Sequence, residues 1–153
     1  MYPYYLTVRQ MGGTMQTAGF KDYAAFLSNL EKAINGEAEA VRFYAKLMNM
    51  APDERQRASI KHAHDDEIKH YKMFTALYHQ LTGREAPVGI TETAFESYKE
   101  GIRTAFDHEL EAAELYREMY LATQIPAIRD VFFEAMTDEM EHAQRFAFIY
   151  HEL

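Results

Sequence analysis

The sequence predicts an all-α protein, a four-helix bundle made of two repeated antiparallel helical hairpins. Apolar residues recur at alternating spacings of three and four along four long segments, which is the period of one face of an α-helix. The last two segments repeat the first two at one constant offset without gaps, so that Glu37 corresponds to Glu109 and Glu67 to Glu139. A gapless repeat that spans a helical hairpin indicates a duplicated supersecondary unit. Glutamate and histidine also interrupt the apolar faces at matched positions in both halves.

Composition and charge narrow the classes of protein that this chain can belong to. With 153 residues, 48% of them hydrophobic, the chain suits one domain with a sizeable core. It has no cysteine, which excludes disulfides, thiol catalysis and cysteine-ligated iron. No apolar run is long enough to cross a membrane, and the net charge of −8 argues against nucleic acid and anionic membranes as partners. The N-terminus lacks the pattern of a signal peptide, so we expect a cytoplasmic protein.

The chain divides into a short arm and the bundle. Residues 1–21 show no clear period, and Gly12, Gly13 and Gly19 interrupt any helix there. We expect this arm either to be poorly ordered or to pack its tyrosines onto the body of the protein. Residues 22–153 then form the four-helix bundle.

The first hairpin carries recognisable helix boundaries. Asp22 suits the N-cap of the first helix, which we expect to end near Asn49. Pro52 and Asp53 begin the second helix, and Gly83 suits its stop. The predicted apolar seam of the first helix is Leu27, Leu30, Ile34, Val41, Tyr44 and Met48.

The second hairpin follows an extended connection. Residues 83–91 contain two glycines and a proline and are predicted to be extended. We expect the third helix to start between Thr91 and Phe95 and to end before Pro126, after which the fourth helix runs to the C-terminus.

Six polar residues occupy positions on the apolar seams. A lone glutamate, Glu37, precedes the Glu-x-x-His motif that begins at Glu67, and Glu109 precedes the motif that begins at Glu139 by the same distance. One such motif arises easily by chance, but two copies in register, each with its upstream glutamate, indicate a metal site. The six predicted ligands are Glu37, Glu67, His70, Glu109, Glu139 and His142.

The heights of these residues along the helices agree. Glu37 lies about 14 residues before the first turn and Glu67 about 15 after it, so both lie roughly 21–22 Å from the turn. An antiparallel hairpin therefore brings Glu37 level with Glu67 and His70. The second hairpin has the same spacing, and two hairpins packed face to face bring all six groups to one level.

Four carboxylates buried together need a positive charge. Their desolvation and mutual repulsion cost several kcal/mol per ion, and no lysine or arginine lies on the seams. Two divalent cations match the charge of four carboxylates, and two neutral imidazoles complete the ligand set. Such carboxylate-rich sites suit iron or manganese, so we predict two metal ions per chain, iron first, with manganese or zinc as alternatives.

Residues near the predicted ligands allow two interpretations. Asp66 and Asp138 are either solvated or accept a hydrogen bond from a ligand histidine. Tyr44 and Tyr116 are either ordinary core tyrosines or donors to a ligand carboxylate. We interpret the remaining histidines as surface or otherwise satisfied residues: His62, His64, His79, His108 and His151.

At these motifs the sequence resembles the ferritin-like superfamily and, within it, the rubrerythrin-like branch. Residues 35–40, with Tyr44, resemble the first-helix motif of rubrerythrins, and 66–70 and 138–142 resemble the motifs of their second and fourth helices. The resemblance covers about residues 22–152. A glutamate from two helices and Glu-x-x-His from the other two is the ligand set of ferritin-like bundles.

The sequence departs from rubrerythrins in two respects. Their cysteine-ligated iron domain, the rubredoxin domain, has no counterpart in a sequence without cysteine. Rubrerythrins also carry an extra glutamate one helical turn after the third-helix ligand, where this chain has Ala112.

The resemblance implies a ferritin-like bundle with a long crossover between helices two and three, although a simple up-and-down bundle satisfies the heights equally well. It implies reaction of a di-iron centre with O2 or peroxide, an external electron donor, and a homodimer or larger homo-oligomer. In this hypothesis Glu67 and Glu139 bridge the ions, and Glu37 with His70 and Glu109 with His142 complete the two sides. The chain is then a redox enzyme or a ferroxidase-like protein. The alternative is a non-catalytic metal-binding protein with a structural, coat or storage role.

Overall fold

The computed structural model describes residues 17–89 and 91–153 of the chain. Four helices dominate these ranges: α1 (Tyr23–Met48), α2 (Glu54–Thr82), α3 (Tyr98–Ala122) and α4 (Pro126–Glu152). The only β-type pairing in the described part is an isolated bridge between Phe20 and Thr123. The all-α prediction is therefore confirmed. None of the described helices is long and apolar enough to span a membrane.

The ends of the first two helices follow the capping signals in the sequence. The Asp22 side chain accepts a hydrogen bond from the Ala25 amide at 2.9 Å, and the Asp53 side chain accepts one from the Gln56 amide at 2.8 Å. Both aspartates therefore satisfy an amide that has no partner inside its helix. Gly83 ends α2 with φ of 70°, a left-handed conformation that favours glycine.

The third helix begins later than the sequence predicts. Its first residue is Tyr98, capped by Ser97, rather than a residue between Thr91 and Phe95. Phe95 is buried, and its ring lies 4.7 Å from that of Phe43 in α1. The chain is thus still packing along α1 when it reaches Phe95, and it can enter a helix only after that contact.

The connection between α2 and α3 crosses the full length of the bundle. Tyr98, at the start of α3, donates a hydrogen bond to Gln56, at the start of α2, with a distance of 2.8 Å. The two helices therefore begin at the same end of the bundle and run in parallel. Residues 83–97 must return from the far end, so the predicted crossover is confirmed and the simple up-and-down topology is wrong.

Polar contacts with α1 hold the crossover along its path. The Asn35 side-chain oxygen accepts the Gly89 amide at 2.6 Å. One turn further along α1, the Glu39 carboxylate accepts hydrogen bonds from the hydroxyls of Thr91 and Thr93. The crossover therefore runs beside α1, from the N-terminal toward the C-terminal half of that helix.

The apolar core consists of two clusters, one toward each end of the bundle. In the first cluster the rings of Phe74 and Phe132 stack at 5.2 Å. In the second, Tyr44 packs on Phe146 at 5.2 Å between ring centroids. The six predicted ligands lie buried between these clusters, so the core itself excludes water from both sides of their layer.

The buried face of α1 is rotated relative to the predicted seam. Leu30, Ile34 and Tyr44 are buried as expected, whereas Leu27 and Val41 are only half-buried. The helix packs against both α2 and α3, so its buried face is wider than a single apolar stripe. The additional buried residues are Phe26, Ala33, Phe43 and Leu47.

The described end of the N-terminal arm packs against the turn between α3 and α4. The Lys21 amide donates to the Ala122 carbonyl at 2.8 Å, and the Gln124 amide donates to the Gly19 carbonyl at 2.6 Å. Gly19 has φ of 92°, which allows the chain to turn into this contact. The rest of the predicted arm, residues 1–16, lies outside the described residues.

Candidate metal centre

All four helices contribute to a single layer of ionisable side chains in the middle of the bundle. Each of these side chains is at most 2% exposed. Helices α1 and α3 supply one glutamate each, and α2 and α4 each supply a glutamate and a histidine separated by one helical turn. The six residues of the layer are Glu37, Glu67, His70, Glu109, Glu139 and His142.

The layer divides into two groups that share two glutamates. In each group three carboxylates and one imidazole offer ligand atoms within 4.8 Å of one another. Glu67 and Glu139 belong to both groups. One group is Glu37, Glu67, His70 and Glu139, and the other is Glu67, Glu109, Glu139 and His142. This is the geometry that two cations bridged by two carboxylates require.

Each histidine turns its Nδ1 atom toward the carboxylates. His70 Nδ1 lies 3.0 Å from Glu139 Oε1 and 3.4 Å from Glu67 Oε2. His142 Nδ1 lies 3.1 Å from Glu139 Oε2 and 3.3 Å from Glu67 Oε1. Both imidazoles therefore face the shared glutamates through the same ring nitrogen.

The other ring nitrogen of each histidine faces an aspartate of the opposite hairpin. His70 Nε2 lies 3.0 Å from Asp138 Oδ2, and His142 Nε2 lies 3.2 Å from Asp66 Oδ2. Of the two interpretations of these aspartates, the structure shows the contact with histidine. A carboxylate at Nε2 favours the proton there and leaves the Nδ1 lone pair directed at the centre.

Two buried tyrosines hold the unshared glutamates, again across the hairpins. Tyr44 Oη donates to Glu109 Oε1, and Tyr116 Oη donates to Glu37 Oε1. Burial, followed by the charges of neighbouring glutamates, raises the pKa of both phenols well above its ordinary value. Both tyrosines therefore keep the proton with which they donate.

Burial and repulsion act strongly on the glutamates. Burial, followed by the charge of Glu67, raises the pKa of Glu37 well above its ordinary value. Burial and the charge of Glu139 raise the pKa of Glu67, and burial with the charge of Glu109 raises the pKa of Glu139 to about 8. Burial also acts upward on Glu109, but its hydrogen bonds with Glu139 and His142 outweigh this and its pKa is lowered.

The histidines respond in the opposite sense to their burial. Desolvation disfavours the imidazolium form of His70, but hydrogen bonds with Asp138, Glu139 and Glu67 raise its pKa to about 12. The pKa of His142 is likewise raised despite burial, through hydrogen bonds with glutamates. Without metal, protons on the imidazoles and on Glu139 therefore supply the compensating charge.

Two carboxylate oxygens at the centre accept no hydrogen bond from any described residue. They are Oε1 of Glu67 and Oε1 of Glu139, the two shared glutamates. The histidine Nδ1 atoms approach them to 3.3 and 3.0 Å without the alignment of a hydrogen bond. A buried carboxylate oxygen without a donor is costly, and a bound cation removes that cost. The donor set therefore fits two metal ions.

A cavity of about 260 Å³ reaches this layer from the surface between α1 and α3. Exposed Lys32 and Glu111 lie at its outer edge, and all four buried glutamates line its inner end. Sequence reasoning missed this opening. The signal for it was the small side chains on the facing sides of the two helices, Gly36, Ala40 and Ala112, which all line the cavity.

The fold and the carboxylate-rich layer define a ferritin-like four-helix bundle with a candidate di-metal centre. The rubrerythrin family model matches residues 9–95. The uncharacterised protein YhjR of Bacillus subtilis (strain 168) is 32% identical over 129 residues, which cover 84% of this chain and 89% of that protein. The chain belongs to the rubrerythrin family.

Solved structures of related proteins share the fold. Nigerythrin in a partially reduced state superposes with a TM-score of 0.72 at 22% identity, covering 83% of this chain and 66% of nigerythrin. A ferritin-like diiron-carboxylate protein from Bacillus anthracis strain Ames superposes with a TM-score of 0.72 at 14% identity, covering 83% of this chain and 96% of that protein. At these identities the likeness establishes the ferritin-like bundle.

Proposed function

We propose that this chain is a di-iron oxidoreductase or ferroxidase-like protein that reacts with O2 or peroxide and receives electrons from an external donor. The observation that carries the proposal is the pair of buried ligand groups sharing Glu67 and Glu139, reached from solvent through a cavity. Family membership supports it, because rubrerythrin-like proteins are expected to use an oxidant and an electron donor.

In this proposal each ion has its own terminal ligands. Glu37 and His70 hold one ion, Glu109 and His142 hold the other, and the two shared glutamates bridge them. Three carboxylates and one imidazole per ion suit iron or manganese, with zinc as a further alternative. When bound, an iron pair supplies the two electrons that reduce O2 to peroxide or peroxide to water.

The residues around the ligands orient them and keep them dry. Tyr44 and Tyr116 fix one carboxylate oxygen of each terminal glutamate, which limits the rotation of those ligands. Asp66 and Asp138 fix the two imidazole rings through Nε2. The apolar clusters above and below the layer leave the α1–α3 cavity as the route for a small oxidant.

The same cavity favours a reactive centre over a structural one. Metal sites that serve stability alone are closed by protein ligands, whereas catalytic sites keep a position open. The inner end of the cavity meets all four glutamates, so an oxidant entering there would reach the ions directly. A coat or storage role without chemistry has no need of this opening.

Reaction with oxygen separates the two functions. We expect protein loaded anaerobically with Fe(II) to develop an oxo-bridged ferric absorption band when O2 or peroxide is added, and an added reductant to reverse it. Metal that stays bound as Fe(II), with no band, would support the structural alternative instead.

Replacement of a shared ligand tests the assignment of the centre. Because Glu67 belongs to both groups, we expect Glu67→Ala to lose about two metal ions per chain relative to the native protein, measured by elemental analysis. Glu114→Ala, at an exposed position on α3, is the matched control and should bind as the native protein does. Equal metal content in the two variants would remove the basis for a paired site.

We also infer that the bundle arose by internal duplication, which the reciprocal contacts support: Tyr44 holds Glu109, and the equivalent Tyr116 holds Glu37. A cytoplasmic location and assembly into a homodimer or larger homo-oligomer stay predictions.

A further inference from the structure

A second cluster of metal-ligating side chains lies just outside the central layer, on the face formed by α2 and α4. His62 Nε2 lies 3.3 Å from Asp66 Oδ2, one helical turn along α2, and 3.6 Å from Glu141 Oε1 in α4. The side chains of His62 and Glu141 are 45% and 50% exposed, whereas that of Asp66 is 20% exposed. The cluster is therefore open to solvent on one side and continuous with the core on the other.

The equivalent cluster in the repeated arrangement already contains its own cation. There Lys69 Nζ lies 2.7 Å from Asp138 Oδ2 and 3.3 Å from Glu134 Oε1. On the first face, the position equivalent to Lys69 is Glu141, and the position equivalent to Glu134 is His62. A carboxylate thus replaces the ammonium group, and an imidazole, which is a good metal ligand, replaces a carboxylate.

The charges on the whole α2–α4 face leave room for a divalent ion. Lys69 also contacts Asp66 Oδ1 at 3.1 Å, and Arg145 donates to Glu141 Oε1. Four negative and two positive charges leave two negative charges, the number that one divalent cation neutralises. The four carboxylates are those of Asp66, Glu134, Asp138 and Glu141.

We propose that His62, Asp66 and Glu141 form a third metal site, which binds a divalent first-row transition metal ion at the surface. One imidazole and two carboxylates form a ligand set that such ions favour. Arg145 is the competing cation at Glu141; it lies on the same helix one turn away and is partly exposed, so it can move aside for the ion.

One side chain separates this site from the central layer. His142 Nε2 lies 3.2 Å from Asp66 Oδ2, while its Nδ1 faces Glu67 and Glu139. The rings of His62 and His142 are 5.9 Å apart between centroids. An ion captured by His62 and Asp66 is therefore adjacent to the centre, and the site would load ions into it from the α2–α4 face, opposite in character to the apolar-walled cavity between α1 and α3.

Metal stoichiometry with Co(II) tests the site. We expect native protein to bind about three ions per chain and His62→Ala about two, measured by equilibrium dialysis and elemental analysis. His64→Ala is the matched control, because His64 lies on the same helix and pairs with Asp65 away from the cluster, so this variant should bind as the native protein does. A native protein with only two ions, or a His62→Ala variant that keeps three, would overturn the proposal.

The same measurement distinguishes this proposal from that of the central pair. One ion in the native protein and none in His62→Ala would support the surface site while refuting the di-metal centre. A loss of more than one ion in His62→Ala would mean that His62 serves the centre itself, which contradicts a separate site.

A charge substitution copied from the other face gives a second test. Glu141→Lys places an ammonium group where Lys69 stands on the Asp138 face, and we expect it to abolish the third ion while the melting temperature stays near the native value. Retention of the third ion would overturn the site.

The loading role has its own measurement. In both His62→Ala and Glu141→Lys, we expect the ferric band to form roughly tenfold more slowly on addition of Fe(II) in air, with the same final amplitude. Unchanged kinetics in both variants would limit the site to binding and contradict the loading role.

Discussion

Individual side chains hold the candidate centre together across the two hairpins rather than within them. Tyr44 of the first hairpin fixes Glu109 of the second, and Asp138 of the second fixes His70 of the first. The equivalent residues make the reverse contacts. The ligand geometry therefore exists only after the hairpins have associated, and loss of one such contact weakens both the site and the association.

The phenol contacts allow a prediction about stability. Tyr44→Phe removes a buried donor from the Glu109 carboxylate, and hydrogen bonds to charged groups contribute about 1.5–3 kcal/mol. We expect the free energy of unfolding of the metal-free protein to fall by about that amount in urea titrations. Tyr78→Phe is the control: its hydroxyl donates to Glu31 at 2.7 Å in a partly buried setting and should cost less. Equal losses in the two variants would contradict a special role for the buried bond.

Among the secondary-structure elements, α1 and α3 approach each other closely at one point and leave the cavity open at another. A methyl group at Gly101 would lie 2.7 Å from Leu47 Cδ1 and 2.8 Å from Phe95 Cδ2. A methyl group at Gly36, which lines the cavity, would meet nothing within 4 Å. The first glycine is therefore required by packing, and the second lies where the helices leave space.

These two glycines should respond oppositely to alanine. We expect Gly101→Ala to lower the free energy of unfolding by about 1–3 kcal/mol, because the added methyl overpacks the contact with α1 and the crossover. Gly36→Ala should raise it by roughly 0.5–1 kcal/mol, because alanine is the better helix former and no neighbour obstructs it. Urea unfolding of both variants gives the comparison, and a destabilised Gly36→Ala would contradict the open space.

Ala112 offers a second test on the same helix. It lines the cavity beside the four glutamates, at the position where rubrerythrins carry an additional glutamate. We expect Ala112→Glu to fold with a melting temperature near that of the native protein and to shift the ferric absorption band, because the new carboxylate can reach the ions. The neighbouring Ala113 is buried, so Ala113→Glu should cost several kcal/mol through desolvation of its charge. Comparable destabilisation of the two variants would contradict the placement of residue 112 at the cavity.

For the molecule as a whole, protons and metal compete for the same buried layer. In the metal-free protein the pKa of Glu139 rises from 4.5 to about 8, and that of His70 rises from 6.5 to about 12. The folded state therefore binds more protons than the unfolded state above about pH 4.5. The stability from these groups is fully present below their unfolded values and is lost as pH rises through the folded ones. Glu109 and Asp138, whose pKa values are lowered, lose their contribution only at more acidic pH.

The metal-bound protein should show the opposite dependence. Its ligands must be deprotonated, so stability falls as protons displace metal at lower pH. We expect the melting temperature between about pH 5 and 8 to fall with pH when a chelator is present, and to rise with pH when metal is bound. Parallel slopes in the two forms would mean that the four glutamates do not share one buried layer.

Local signals in the sequence were sufficient for the elements and for the composition of the site. Apolar periodicity and the caps at Asp22, Asp53 and Gly83 specify the first two helices, because these effects act within a few residues. The equal distances of Glu37 and Glu67 from their turn place them level in any antiparallel hairpin. The constant offset of the internal repeat transfers the same reasoning to the second hairpin.

Contacts between distant segments decided the rest, and no local pattern contains them. The crossover direction depends on Asn35 and Glu39 binding residues far along the chain, and the later start of α3 depends on Phe95 packing against Phe43. The choice between solvated and histidine-bound aspartates, the crossed tyrosine contacts and the cavity between α1 and α3 all depend on which hairpin faces which. The sequence by itself determined which residues form the helices and which can bind metal. Only the tertiary structure decided which side chain holds which ligand, because those partners meet only when the two hairpins pack.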